Sequence, residues 1–109
     1  MISVKVNYRQ TEITLYRSSL TTWVCPVCGF PNLDTKPYSA NGIASFSMCP
    51  FCMFEFGFDD DPDASGEADT RVLESWRKYR AKFLEEIALD HEKIEVVKER
   101  LERIHIEEM

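Results

Sequence analysis

The chain has 109 residues, 44% of them hydrophobic and 29% charged, which predicts one folded unit and excludes wholesale disorder and repetitive polymers. Its 13 basic and 19 acidic residues give a formal charge of −6, which argues against a broad basic face for nucleic acid and favours a protein partner of basic character. No apolar run approaches the ~20 residues of a membrane span and residues 1–5 lack a secretory apolar stretch, so a soluble, cytoplasmic protein is expected.

In residues 2–8, Ile2, Val4, Val6 and Tyr8 alternate with Ser3, Lys5 and Asn7, and Ile13 and Leu15 flank Thr14. This period of two predicts a β-hairpin within residues 1–22. Its turn near Arg9-Gln10-Thr11-Glu12 lacks Asn-Gly or any glycine, so the sequence leaves the register loosely specified. Residues 23–58 change to cysteine, proline, glycine and aromatics, the texture of a turn-rich module. Residues 59–68 read as an acidic connector: 58–70 hold six acidic and no basic residues, and therefore nearly all the excess negative charge.

From residue 69 onward the chain reads as helical, with Asp69 or Thr70 as cap and no Gly or Pro from Glu67 to Met109. Leu73, Trp76, Phe83, Ile87, Ile94, Val97, Leu101 and Ile104 recur at three- and four-residue steps, interrupted by Arg80 and Asp90. A straight helix of some 40 residues would span ~60 Å, far more than a globule of this length accommodates. Either Asp90 caps a second helix, or the distal part projects and joins a second copy through residues 87–104.

All four cysteines fall into two pairs, Cys25-Pro26-Val27-Cys28 and Cys49-Pro50-Phe51-Cys52, separated by the 20 residues 29–48. A two-residue gap aims both thiolates of one turn at a single ion, and two such turns supply the four soft ligands of tetrahedral Zn²⁺. Pro26 and Pro50 stiffen the turns, and Gly29 supplies conformational freedom after the second ligand. Two disulfides would suit an exported mini-protein, and a redox CxxC would need a strand-helix setting; neither fits this context. Iron would accept the same ligands. With four thiolates no coordination position remains for water or substrate, so the ion is structural.

The order Cys25-Pro26-Val27-Cys28-Gly29-Phe30, Tyr38, Ser45-Phe46, Met48-Cys49-Pro50-Phe51-Cys52, Phe54-Glu55-Phe56-Gly57, Asp59-Asp60-Asp61-Pro62 and Trp76-Arg77 resembles small bacterial CPCC-type cysteine-rich proteins and related zinc-ribbon proteins of unassigned function. The resemblance covers residues 23–84 and implies a zinc ribbon followed by a helix bearing an aromatic-basic stretch. Val27 stands where the eponymous motif repeats cysteine, and Met53 where glycine often follows the last ligand.

Tyr38, Ile43, Phe46, Met48, Phe51, Met53, Phe54, Phe56 and Phe58 read as core between ribbon and helix, with Phe54, Phe56 and Phe58 on a final strand facing Trp76, Tyr79 and Phe83. The competing reading is an exposed anchor for a partner. Asp59, Asp61 and Asp63 imitate a calcium loop, but Ala64 and Thr70 break it. Arg71, Arg77, Lys78, Arg80 and Lys82 around Trp76 and Tyr79 suit either a solvated helix face or phosphate contacts. His91 and His105 read as surface residues. No catalytic set of nucleophile and base, no phosphate loop and no HExxH occurs.

The sequence thus predicts an α+β fold: one domain over residues 1–109, with an N-terminal β-hairpin, a four-cysteine zinc ribbon and one long C-terminal helix or two. The expected function is non-enzymatic binding of a protein, in one version as an acidic immunity protein neutralising a basic toxin. The alternative is a nucleic-acid-associated ribbon serving transcription or translation.

Overall fold

The computed structural model describes residues 1–60 and 72–106. Strands β1 (Ile2–Tyr8) and β2 (Thr11–Arg17) form an antiparallel hairpin, and helices α1 (Val72–Glu86) and α2 (His91–Arg103) close the chain, giving the expected α+β fold. The hairpin register is regular from Ile2↔Arg17 to Tyr8↔Thr11, where the sequence had left it loose. Arg9 and Gln10 form a two-residue turn with φ of 51° and 64°, the positive values that glycine or asparagine normally supplies. Packing sets the register instead. Val6, Tyr8, Ile13 and Leu15 are all buried on one face, and a slip of one residue would turn that set toward solvent. Arg9 further anchors the turn by donating from Nη1 to the backbone carbonyl of Asp60, 3.4 Å away.

Residues 18–60 contain no extended ladder. Isolated bridges join Trp23 to Leu33, Tyr38 to Ala44 and Met48 to Glu55, so the final ribbon strand expected over 54–58 is reduced to one bridge. Phe54 and Phe56 are buried as expected, whereas Phe58 is exposed. Gly57, at φ 99°, turns the chain between them and ends the alternation.

The helical segment breaks after Glu86. Asp90 caps α2, its Oδ1 accepting from the backbone N of Lys93 at 3.0 Å. The second helix folds back, and Val97, Leu101 and Ile104 enter the same core as the hairpin and the cysteines. The projecting helix is therefore not formed, and its apolar stripe is consumed within the chain. The expected cap at Asp69 or Thr70, residue Arg71 and most of the acidic connector (61–68) lie outside the described residues.

Of the two connector residues that are described, Asp59 is half-buried and Asp60 is withdrawn from solvent. Asp60 is 1% exposed and links hairpin, ribbon and α1. Its carboxylate accepts from the Tyr38 hydroxyl, from the Gly57 backbone N at 3.0 Å and from the Tyr8 hydroxyl at 3.5 Å. Trp76 Nε1 in turn donates to the Tyr38 hydroxyl at 3.1 Å. Burial holds the Asp60 carboxyl above the usual carboxylate range, and burial with the adjacent Asp60 charge raises the Tyr38 phenol. A buried carboxylate is stable here because its oxygens are met by donors from three segments.

Candidate metal centre

Each cysteine pair forms a tight turn, and the two turns repeat one backbone pattern. In the first, Gly29 N donates to Cys25 O at 2.8 Å and Cys25 N to Phe30 O at 2.8 Å. In the second, Met53 N donates to Cys49 O at 2.8 Å and Cys49 N to Phe54 O at 2.9 Å. The residue after the last cysteine is left-handed in both, Gly29 at φ 85° and Met53 at φ 69°. Gly29 is required twice over, because a Cβ there would stand 2.8 Å from Arg100 Cβ and 2.9 Å from the Arg100 carbonyl carbon on α2. Met53 is exposed, so only its backbone conformation is costly.

The two turns face each other. All four sulfurs lie within 4.8 Å of one another, with Cys25 Sγ 3.9 Å from Cys52 Sγ and Cys28 Sγ 3.7 Å from Cys49 Sγ. Four sulfurs around a tetrahedral ion with bonds of about 2.3 Å stand about 3.8 Å apart, so the donor set fits such an ion. A disulfide would need sulfurs about 2.05 Å apart, and all four cysteines are free thiols. Cys25, Cys28 and Cys49 are fully buried and Cys52 is 3% exposed. Among the described residues these four form the group of side chains with metal-ligating geometry, and His91 and His105 lie outside it.

Without a cation the four thiols cannot ionise together. Burial, reinforced by the neighbouring thiols, pushes Cys25 well above its ordinary value, while hydrogen bonds from Cys25, Cys28 and Cys52 lower Cys49. A divalent ion offsets the cost of burying thiolates and allows all four to become ligands.

Both turns are held from behind by α1. Arg80 is 3% exposed and donates from Nε to Val27 O at 2.6 Å and from Nη2 to Pro26 O at 2.9 Å. Those carbonyls belong to the two residues between Cys25 and Cys28. One residue earlier, the Tyr79 hydroxyl donates to Cys52 O at 2.7 Å; burial first, and then the Cys52 and Asp59 charges, push its phenol up to about 12. Phe30 and Phe51, one from each turn, stack at 5.9 Å between centroids, and Phe54 meets Tyr79 edge-on at 5.0 Å. Trp76 is buried. The sequence places Trp76 and Tyr79 against the ribbon, as found, but groups Arg80 with a basic stretch read as a solvated helix face or as phosphate contacts. The usable signal was Arg80 itself, the one cation inside the apolar stripe of α1.

No family model matches the chain, and no solved structure matches it. Two curated relatives do, both from Bacillus subtilis (strain 168). The uncharacterized protein YoaQ is 32% identical over 66 residues, 56% of this chain and 56% of YoaQ. The uncharacterized protein YozI is 36% identical over 45 residues, 39% of this chain and 37% of YozI. The matched regions thus span little more than half of YoaQ and little more than a third of YozI.

Proposed function

We propose that the chain is a zinc-ribbon protein of the small bacterial CPCC-type group and that it works as a non-catalytic protein-binding module. Cys25, Cys28, Cys49 and Cys52 hold one structural Zn²⁺. The observation that carries this reading is the closed four-sulfur cluster: four thiolates fill a tetrahedral shell and leave no position for substrate. Zinc supplies folding free energy to a stretch that has no sheet of its own, on the order of 10 kcal/mol in comparable peptides.

Protein binding is supported by what the ribbon leaves outside. Ile43, Phe46, Met48, Met53 and Phe58 are each 47–64% exposed, although the pattern of the sequence assigned them to the core. Large apolar side chains concentrated in one short stretch are costly to leave in water and suit a partner contact. The adjoining run 58–70 contributes six acidic residues and no basic one, and four thiolates with Zn²⁺ add two further negative charges. A basic partner follows from this balance, and a basic toxin neutralised by an acidic immunity protein is the specific form we favour. The nucleic-acid alternative loses support because Arg80 and Trp76 are buried and the Tyr79 hydroxyl is bonded to Cys52 O.

The test compares affinity capture from native cells by the wild-type chain and by Phe46→Ser/Phe58→Ser, each verified to carry the same metal. A basic protein retained by the wild type and lost by the variant is the expected outcome. Equal retention by both would refute the assigned surface, and retention of nucleic acid in place of protein would refute the partner class.

A further inference from the structure

A cavity of about 440 Å³ lies between the first cysteine turn and the C-terminal part of α2, within the ~300–1,000 Å³ typical of small-molecule sites. Its polar lining comes from Ser18, Ser19, Thr22, Asn32, Arg100 and Arg103. Two cations and no carboxylate therefore line a cavity in a chain whose net charge is −6.

The hydroxyls are already committed. The Ser18 hydroxyl donates to the Pro31 carbonyl, and Ser18 Oγ and Ser19 Oγ both lie 2.6 Å from Thr22 Oγ1. Each hydroxyl has one proton, so the chain must run from Ser19 to Thr22 to Ser18 to Pro31. Arg103 reaches Glu99 at 2.5 Å in an exposed pair. Arg100 differs from all of these. Its Nη1 is buried and has no hydrogen-bond partner, while its guanidinium lies over Phe51 at 4.9 Å and over Phe30 at 5.6 Å. The two rings pack against the guanidinium face but cannot satisfy the in-plane N–H groups of Nη1, and a buried charged donor left unmet is costly.

We propose that this cavity binds a small molecule carrying an oxyanion, a phosphate or a carboxylate, with Arg100 as the principal donor and Arg103 as the second cation. Arginine's planar fork matches both groups in bidentate fashion. Gly29, which follows Cys28, also lines the cavity, so the ligand lies beside the first cysteine turn.

The experiment is an NMR titration of the full, metal-loaded, ¹⁵N-labelled chain with inorganic phosphate, glycerol 2-phosphate and citrate, against potassium chloride at matched ionic strength. Saturating shifts at Thr22, Gly29 and Asn32 with at least one of the three are expected, and the tightest identifies the source of the anion. Arg100→Met, which preserves the stem against Phe30 and Phe51, should weaken binding at least tenfold. Arg103→Gln, at an exposed position, should weaken it severalfold and serves as the deciding variant if Arg100→Met does not fold. Shifts no larger than those with chloride, or unchanged affinity in the folded variants, would overturn the proposal.

Discussion

Arg80→Met removes the guanidinium that α1 inserts behind the first cysteine turn and keeps an unbranched side chain to fill its stem. Two charge-assisted bonds to Val27 O and Pro26 O are lost, each worth about 1.5–3 kcal/mol. Part of that loss is offset because the guanidinium no longer has to be desolvated. The balance is a destabilisation of about 2–4 kcal/mol, which at a urea slope of ~1–3 kcal/mol/M moves the midpoint by about 1–2 M. The same bonds orient the peptide units between two ligands, so metal affinity measured by chelator competition should fall about 10–100-fold. Arg80→Lys retains the charge, cannot reach both carbonyls with a fork, and should lie between wild type and methionine on both measures. If Arg80→Met stays within about 0.5 kcal/mol of wild type and within twofold in metal affinity, the idea that α1 clamps the turn is wrong.

Further substitutions probe the same construction. Tyr79→Phe removes only the donor to Cys52 O and should cost about 1 kcal/mol in denaturant unfolding, with a smaller loss of metal affinity than Arg80→Met. The equivalent left-handed positions should respond with opposite signs. Gly29→Ala meets α2 backbone and should cost more than about 2 kcal/mol, whereas Met53→Gly relieves an exposed left-handed residue and should gain about 0.5–1 kcal/mol in thermal or urea unfolding. Asp60→Ala orphans buried donors from Gly57, Tyr38 and Tyr8 and should cost about 3 kcal/mol or more. For pH dependence, the raised Asp60 carboxyl keeps its proton in the folded chain where the unfolded chain, at an ordinary value near ~3.9, has released it. Wild-type stability therefore falls relative to Asp60→Asn as pH rises from about 4 through the folded value. A difference between the two proteins that is flat across that window would contradict the assignment.

The hairpin, the two cysteine turns and, as one of two alternatives, the Asp90 break were legible because each rests on a local rule: alternation, ligand spacing, and a capping side chain beside an interrupted stripe. What was not legible depends on long-range contacts. Asp60 looks like one more residue of an acidic run, and only the meeting of Tyr8, Tyr38 and Gly57 around it makes it a core residue. Arg80 reads as a surface cation until α1 is laid across carbonyls some 53 residues earlier in the chain. Phe58 continues a convincing period of two, but the turn at Gly57 ends the strand and leaves it outside. Met53 occupies a position that prefers glycine, which a spacing argument cannot detect without the φ of the turn.

The central claim is that one ion, held by four sulfurs, organises residues 23–58. Its most direct measurement is metal stoichiometry combined with X-ray absorption on the full chain prepared under reducing conditions, followed by circular dichroism after chelation. The expected result is one zinc per chain, four sulfurs at about 2.3 Å, and loss of the fold when the ion is withdrawn. A metal-free chain that keeps its near-ultraviolet signal, or an ion with fewer than four sulfur ligands, would contradict the account.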